Sequence, residues 1–186
     1  MLIDQIELKS CDGGIYEPLE DSVLLAKAVE EHAFGSFLDM GTGSGIQGII
    51  AAKKGCDVTF ADIDEKAIRC AKANAEANGV HGKFIVSDLF DGITGRFNTI
   101  SFNPPYLPSE PIMGGRQREY ALDGGRLGRE LIDRFLANYS KYVEEKHIIL
   151  LVESSFNGYQ EDAELLKAEV TKVHYSFEDI AVLAFR

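Results

Sequence analysis

One stretch limits the fold more than any other. Ser36-Phe37-Leu38-Asp39-Met40 is a short apolar run that passes straight into Gly41-Thr42-Gly43-Ser44-Gly45 and then into a helical pattern from Ile46 to Lys53. A strand that leaves through a glycine-rich turn and enters a helix opens a crossover unit, because parallel strands need a long connection and a helix supplies it. The rest of the chain repeats the theme. Residues 57–61 read as a strand, Glu65–Ala77 as an Ala-rich helix stopped by Asn78-Gly79, Lys83–Val86 as a third strand and 99–102 as a fourth. A helix over 129–142 leads to a strand at 147–153 and a helix at 157–168. Residues 170–175 and 180–185 close the pattern as two strands joined by a tight turn, an antiparallel pair at one sheet edge. Upstream, Val23, Leu24, Ala26, Ala28 and Val29 mark an amphipathic helix that Asp21 or Ser22 can cap. The expectation is an α/β three-layer sandwich, one domain over residues 1–186, with a mostly parallel seven-stranded sheet and an antiparallel strand near one edge.

Composition then removes whole classes of function. With 45% hydrophobic and 26% charged residues in 186, the chain is an ordinary globular domain. Its apolar runs, such as 80–86 and 148–152, fall far short of the roughly 18 to 20 residues of a membrane-spanning helix. Asp4, Glu7 and Lys9 break up the start of the chain, which lacks the basic head and apolar run of a secretion signal, so a cytoplasmic location is expected. Thirty acidic residues against 19 Lys plus Arg give a net charge of -11, which speaks against general nucleic-acid binding by phosphate neutralisation. Cys11, Cys56 and Cys70 are odd in number, widely spaced and unclustered with histidine, and read as reduced thiols with no metal site.

Open α/β sheets bind ligands beyond the carboxyl ends of their strands, where the strand order reverses. Four successive strands end there in polar groups: Asp39-Met40-Gly41, Asp62, Asp88 and Asn103-Pro104-Pro105-Tyr106. A lone carboxylate at a strand end is an ordinary cap or loop residue; four polar strand ends at successive equivalent places, three of them carboxylates, point to one site. Gly43-x-Gly45-x-x-Gly48 with Asp62 some distance on also matches a dinucleotide fingerprint. The register argues against it. Counting from Gly41, where the tight turn leaves the strand, puts Ile46 in the place of the third glycine, and Asp39 sets a carboxylate where a pyrophosphate would lie.

Asp-x-Gly-x-Gly-x-Gly followed by an acid ending the second strand resembles the S-adenosylmethionine loop of class I methyltransferases, whose fold is Rossmann-like. The resemblance implies that Gly41, Thr42, Gly43 and Gly45 pass beneath the methionine part of the cofactor and that Asp39 holds its amino end, directly or through water. It further implies that Asp62 receives the ribose hydroxyls, Ile63 flanks the adenine, Asp88 meets the adenine amino group and Leu89 offers it a backbone amide. Asn103-Pro104-Pro105-Tyr106 resembles the N-P-P-Y motif of methyltransferases acting on planar nitrogens. The Asn103 side-chain oxygen and the Pro104 carbonyl can accept the two N–H bonds of such a group, holding its nitrogen toward the methyl with no strong base required. Pro105 stiffens the turn and the Tyr106 ring can stack on the planar group.

Tyr16-Glu17-Pro18-Leu19-Glu20-Asp21-Ser22 is similar to the Y-E-P-x-E-D-[ST] element of the HemK-type glutamine methyltransferases, in particular the short archaeal and eukaryotic branch that modifies class 1 translation release factors. Tyr120-Ala121-Leu122-Asp123-Gly124-Gly125 resembles the family's A-L-D-G-G segment. The similarity implies that Ser22 contacts the cofactor and that the substrate is the glutamine of a Gly-Gly-Gln loop. Bacterial members carry a helical domain ahead of the catalytic one, whereas here only about fifteen residues precede Tyr16, which assigns substrate recognition to 107–128 or to a partner. Short-branch members act with a small zinc-binding activator paired along the third-strand edge, here Lys83-Phe84-Ile85-Val86; the same segment also reads as a strand buried under helices. The alternative substrate is a nucleic-acid exocyclic amine, adenine N6 or guanine N2, and Arg116, Arg118, Arg126 and Arg129 form the basic cluster that reading would use. An inert binding module would have let the N-P-P-Y motif decay, and it is intact.

Overall fold

The computed structural model describes residues 2–9, 11, 18–106, 128–175 and 177–186. Seven strands form one sheet: β1 (Ser36–Met40), β2 (Asp57–Asp62), β3 (Lys83–Val86), β4 (Phe97–Phe102), β5 (Val143–Ser154), β6 (Glu169–Tyr175) and β7 (Glu178–Phe185). Their order is β3-β2-β1-β4-β5-β7-β6, with β7 antiparallel to both of its neighbours and every other pairing parallel. The order reverses between β1 and β4, so the carboxyl ends of these two strands frame the crevice in which such sheets bind ligands. Helices α1 (Glu20–His32), α2 (Ile46–Lys53), α3 (Glu65–Ala77), α4 (Glu130–Leu136) and α5 (Tyr159–Leu166) accompany the sheet. Both faces of its centre are covered, which is why Leu38, Ile100, Ile149 and Leu150 are fully buried and β1, β4 and β5 read as continuous apolar runs. Among the described residues no helix is long and apolar enough to cross a membrane.

The differences from the sequence reading have local causes. The helix expected over 129–142 stops at Leu136 and is followed by a one-turn 3-10 helix at Tyr139–Lys141. β5 starts earlier than its apolar run, because Val143 pairs with Phe97 before the register shifts to Thr99 beside Ile148; Glu144, Glu145 and Lys146 in between are exposed and carry no apolar signal. The first helix is not capped by Asp21 or Ser22. It begins at Glu20 behind Leu19, which makes no side-chain cap, and the Asp21 side chain is used elsewhere. β3 is one of the two edge strands, β6 being the other, with Lys83 and Val86 exposed and Phe84 half-buried in a stack on Phe60 at 4.7 Å. It is therefore an edge and not a covered strand.

Cys11 and Cys70 are joined in a disulfide, which corrects the reading of three reduced thiols; Cys56 is free. The cause is a long-range approach that linear spacing does not show. The N-terminal segment runs along α3, where Asn78 exchanges two hydrogen bonds with the Glu7 backbone and Asn74 accepts from Lys9 N at 2.9 Å, bringing Cys11 to 5.8 Å from Cys70 between Cα atoms. A cross-link closing a loop of this size restricts the unfolded chain by about 4 kcal/mol in the chain-entropy account.

Gly48 sits in α2 where a Cβ would run into the Phe60 ring of β2. The helix lies so close to the sheet because this position has no side chain. Gly48→Ala is expected to destabilise the fold by about 1 to 3 kcal/mol through overpacking, seen as a lower denaturant midpoint at unchanged m-value; an unaltered midpoint would refute this contact as the reason for the glycine.

Candidate functional site

The loop after β1 owes its shape to alternating glycines. Gly41, Gly43 and Gly45 have φ of 62°, 52° and 86°, the left-handed region that favours glycine, which accounts for their spacing of two. Asp39, 2% exposed, points inward beneath them: one carboxylate oxygen accepts from Thr42 Oγ1 at 2.6 Å and Gly48 N at 2.9 Å, the other from Ser101 Oγ at 3.1 Å. One side chain thus ties the loop, the start of α2 and β4 together. Burial pushes its carboxyl from 3.8 up to about 7, against the pull of those hydrogen bonds. A Cβ built on Gly43 would meet nothing within 4 Å, so the space above the loop is open.

Asp62, at the end of β2, accepts from Gly43 N at 3.0 Å and from Asp64 N at 2.9 Å, which leaves lone pairs on both oxygens for further donors. Burial raises its pKa. Ile63 beside it is 68% exposed, a bare apolar surface at the mouth of the crevice. Asp88 is paired with Arg134 at 3.0 Å and half-exposed. Leu89 adopts φ of 46°, unusual outside glycine, in a turn where Ser87 Oγ donates to the Leu89 carbonyl at 2.7 Å. Ser22 is buried in the first turn of α1, and its carbonyl accepts from Gln47 Nε2 at 2.9 Å.

The turn after β4 holds the most informative geometry. Asn103 Nδ2 donates to Asp21 Oδ2 at 3.0 Å, and the Tyr106 hydroxyl donates to the same oxygen at 3.2 Å. Asp21 is 3% exposed, and its other oxygen accepts from Ser22 N at 2.6 Å. With its amide nitrogen held by a carboxylate, Asn103 can only turn its oxygen the other way. That oxygen is buried and has no hydrogen-bond partner among the described residues. An orphaned buried acceptor costs about 1 to 3 kcal/mol, which makes this oxygen a candidate for a ligand donor. Pro104 is buried and Pro105 half-buried in the same turn. Tyr106 differs from its expected use as an open stacking ring: it is 7% exposed, packed into the core, and its hydroxyl is engaged on Asp21.

Asp21 is the residue that sequence reasoning placed wrongly; it stood inside a quoted motif but looked like a helix cap. Arg129, counted into a basic cluster, is bound internally to Asp162 at 2.7 Å and Asp133 at 2.9 Å. Tyr16, Glu17, Arg116, Arg118, Arg126 and the segment from Tyr120 to Gly125 lie outside the described residues.

Residues 20–114 match the family described as Methyltransferase small domain. A putative protein N5-glutamine methyltransferase of Methanocaldococcus jannaschii is 38% identical over 91% of this chain and 90% of its own length. The chain belongs to this family. The mouse methyltransferase HEMK2 is 32% identical over 82% of this chain and 78% of its own, which places the protein with the HemK-type enzymes. Among solved structures, the E. cuniculi Mtq2-Trm112 complex, described as responsible for methylation of the termination factor eRF1, superposes with a TM-score of 0.68 at 23% identity over 92% of this chain and 98% of that one. A ribosomal protein L11 methylase from Lactobacillus delbrueckii subsp. bulgaricus gives 0.68 at 19% identity over 95% and 83%. At these identities the two structures attest the fold, which is that of Rossmann-like class I methyltransferases.

Two predictions follow from the geometry. Asp21→Ala releases Asn103 Nδ2 and the Tyr106 hydroxyl, and turnover should fall about a hundredfold through misplacement of the acceptor turn, with cofactor affinity retained; unchanged turnover would remove Asp21 from the site. Asp39 binds a proton more tightly in the native than in the unfolded chain, so its contribution to stability falls as pH rises from about 4 to about 7 and is level above that. The stability of wild type relative to Asp39→Asn should therefore decline over this window in denaturation experiments, and a pH-independent difference would show that the carboxyl is not protonated.

Proposed function

We propose that this methyltransferase uses S-adenosylmethionine to methylate the side-chain amide nitrogen of a glutamine, that of the Gly-Gly-Gln loop of a class 1 translation release factor. The observation that carries the reading is the Asn103 side-chain oxygen, buried, unpaired and fixed in direction by Asp21. The crevice fits the cofactor. The open space above Gly43 admits its methionine part past Gly41, Thr42 and Gly45, the spare lone pairs of Asp62 suit ribose hydroxyls, and exposed Ile63 gains burial against adenine. Asp88 meets the adenine amino group while sharing Arg134, and the strained turn at Leu89 presents its backbone amide. Ser22 closes the site from α1. Asp39 acts through the loop it braces, since its own oxygens already hold three donors.

When bound, the cofactor supplies an electrophilic methyl on a positively charged sulfur. The chain's part is to present the nucleophile. Asn103 Oδ1 and the Pro104 carbonyl accept the two N–H bonds of the glutamine amide, turning its lone pair out of conjugation and toward the methyl. These two oxygens would stabilise the positive charge that the glutamine nitrogen acquires on methylation, and the surplus proton would then leave to water. The hydrogen bond from Asn103 Nδ2 to Asp21 at 3.0 Å polarises that amide and makes its oxygen a stronger acceptor.

The β3 edge is the surface for an activator, a small zinc-binding protein on this reading: β3 is an edge strand, and Val86 and Ile63 stand 51% and 68% exposed near its end. The test supplies labelled cofactor to the enzyme with a release factor, with and without the activator. Label is expected on the release factor, stronger with the activator, lost when the Gly-Gly-Gln glutamine is replaced, and lost in Asn103→Ala while cofactor affinity stays within about tenfold. Label on a DNA or RNA oligonucleotide with none on the release factor would overturn the assignment in favour of a base amine.

A further inference from the structure

We propose that Asn157 is a positioning residue for the acceptor turn, a role that rests on the glutamine methyltransferase reading above. Asn157 lies in the turn between β5 and α5, is 4% exposed, and caps the end of β5 by accepting from Ser154 N at 2.9 Å. That bond fixes which way its amide nitrogen points. Nδ2 lies 3.4 Å from the carbonyl oxygens of both Tyr106 and Gly128, the two described residues that bracket 107–127. One side chain therefore joins the last residue of the Asn-Pro-Pro-Tyr turn to the approach of α4. Arg129 secures it from behind, donating to the Asn157 carbonyl at 2.7 Å while its other nitrogens bind Asp162 and Asp133.

Tyr106 is consequently held at both ends, by its hydroxyl on Asp21 and by its carbonyl on Asn157. The turn carrying the Asn103 acceptor is suspended between α1 and the β5–α5 turn. Glu153, fully buried beside this cluster, has neither carboxyl oxygen hydrogen-bonded among the described residues, and its nearest cation is Arg129 at 3.8 Å. Burial and the neighbouring Asp162 push its carboxyl up to about 8, toward the uncharged form, while Arg129 makes its short contacts to Asp162 and Asp133. Apart from Ser22 on α1, the cofactor residues stand beyond the ends of β1, β2 and β3, on other strands than Asn157. Loosening this clasp should move the acceptor without disturbing the cofactor.

Asn157→Asp keeps an oxygen for Ser154 N and loses both N–H donors; Asn157→Ser removes the amide without adding charge and leaves a shorter side chain with one hydroxyl. In both, kcat on the release factor is expected to fall at least about tenfold, with S-adenosylhomocysteine affinity in calorimetry unchanged. Residue-resolved amide exchange, measured with no substrate present, should quicken at Asn103, Tyr106 and Arg129 and stay slow at Ile49 in α2. Unchanged exchange at the first three would overturn the proposal, as would turnover and cofactor affinity falling together with melting temperature. If the wild type itself fails to methylate a release factor, the substrate assignment falls, and the exchange experiment still decides the clasp.

Discussion

The hydrogen bond from Asn103 to Asp21 is the contact on which the rest of the site depends. An asparagine side chain offers a donor and an acceptor that can exchange places by a half-turn, and only a partner of fixed polarity makes one orientation lasting. A carboxylate is such a partner, because it accepts and does not donate. Asp21 is buried at the first turn of α1, so the orientation of the Asn103 amide is set by where that helix packs. The position has a local cost: Asp21 cannot cap its own helix, which starts behind an uncapped leucine. A sequence that breaks a helix-start rule at this point does so where function needs the side chain.

Asp39 does for the cofactor loop what Asp21 does for the acceptor turn. It is buried, and its partners come from the loop, from α2 and from β4, so the strands on either side of the crevice share one brace. Two aspartates thus hold the two halves of the site, one under each. Each accepts from two side-chain donors and one backbone amide, and burial drives Asp39 toward its neutral form.

How much of this could be read from the chain follows from the range of each interaction. The strands and the crossovers were legible because burial on a parallel sheet writes apolar runs into the sequence, and the glycine loop because left-handed backbone demands glycine at alternate positions. The residues at the strand ends were legible through the topology that aligns them. What escaped was decided between segments far apart in sequence: Asp21 reaching Asn103, Arg129 finding Asp162, and Cys11 meeting Cys70 through a strap held by two asparagines. No local pattern distinguishes an aspartate that caps a helix from one that grips a side chain eighty residues on. The start of β5 escaped for a simpler reason, since its exposed Glu-Glu-Lys carries no periodic signal.

The same geometry bears on why this turn suits an amide and not a stronger nucleophile. A lysine ammonium at neutral pH has no lone pair to offer, and using it would require a base placed to remove a proton first. In this structure Asp21 is engaged by two polar hydrogens and the Ser22 amide. A hydroxyl brings a single hydrogen and would leave one of the two oxygens of the turn unpaired in a buried site, where the loss is felt in full. On the proposed reading a primary amide matches both acceptors and needs only to have its lone pair held out of conjugation, at a turn that two prolines keep rigid. The oxygens that would align the amide would also stabilise the charge it acquires on reaction, and Asp21 fixes the direction of one of them, that of Asn103.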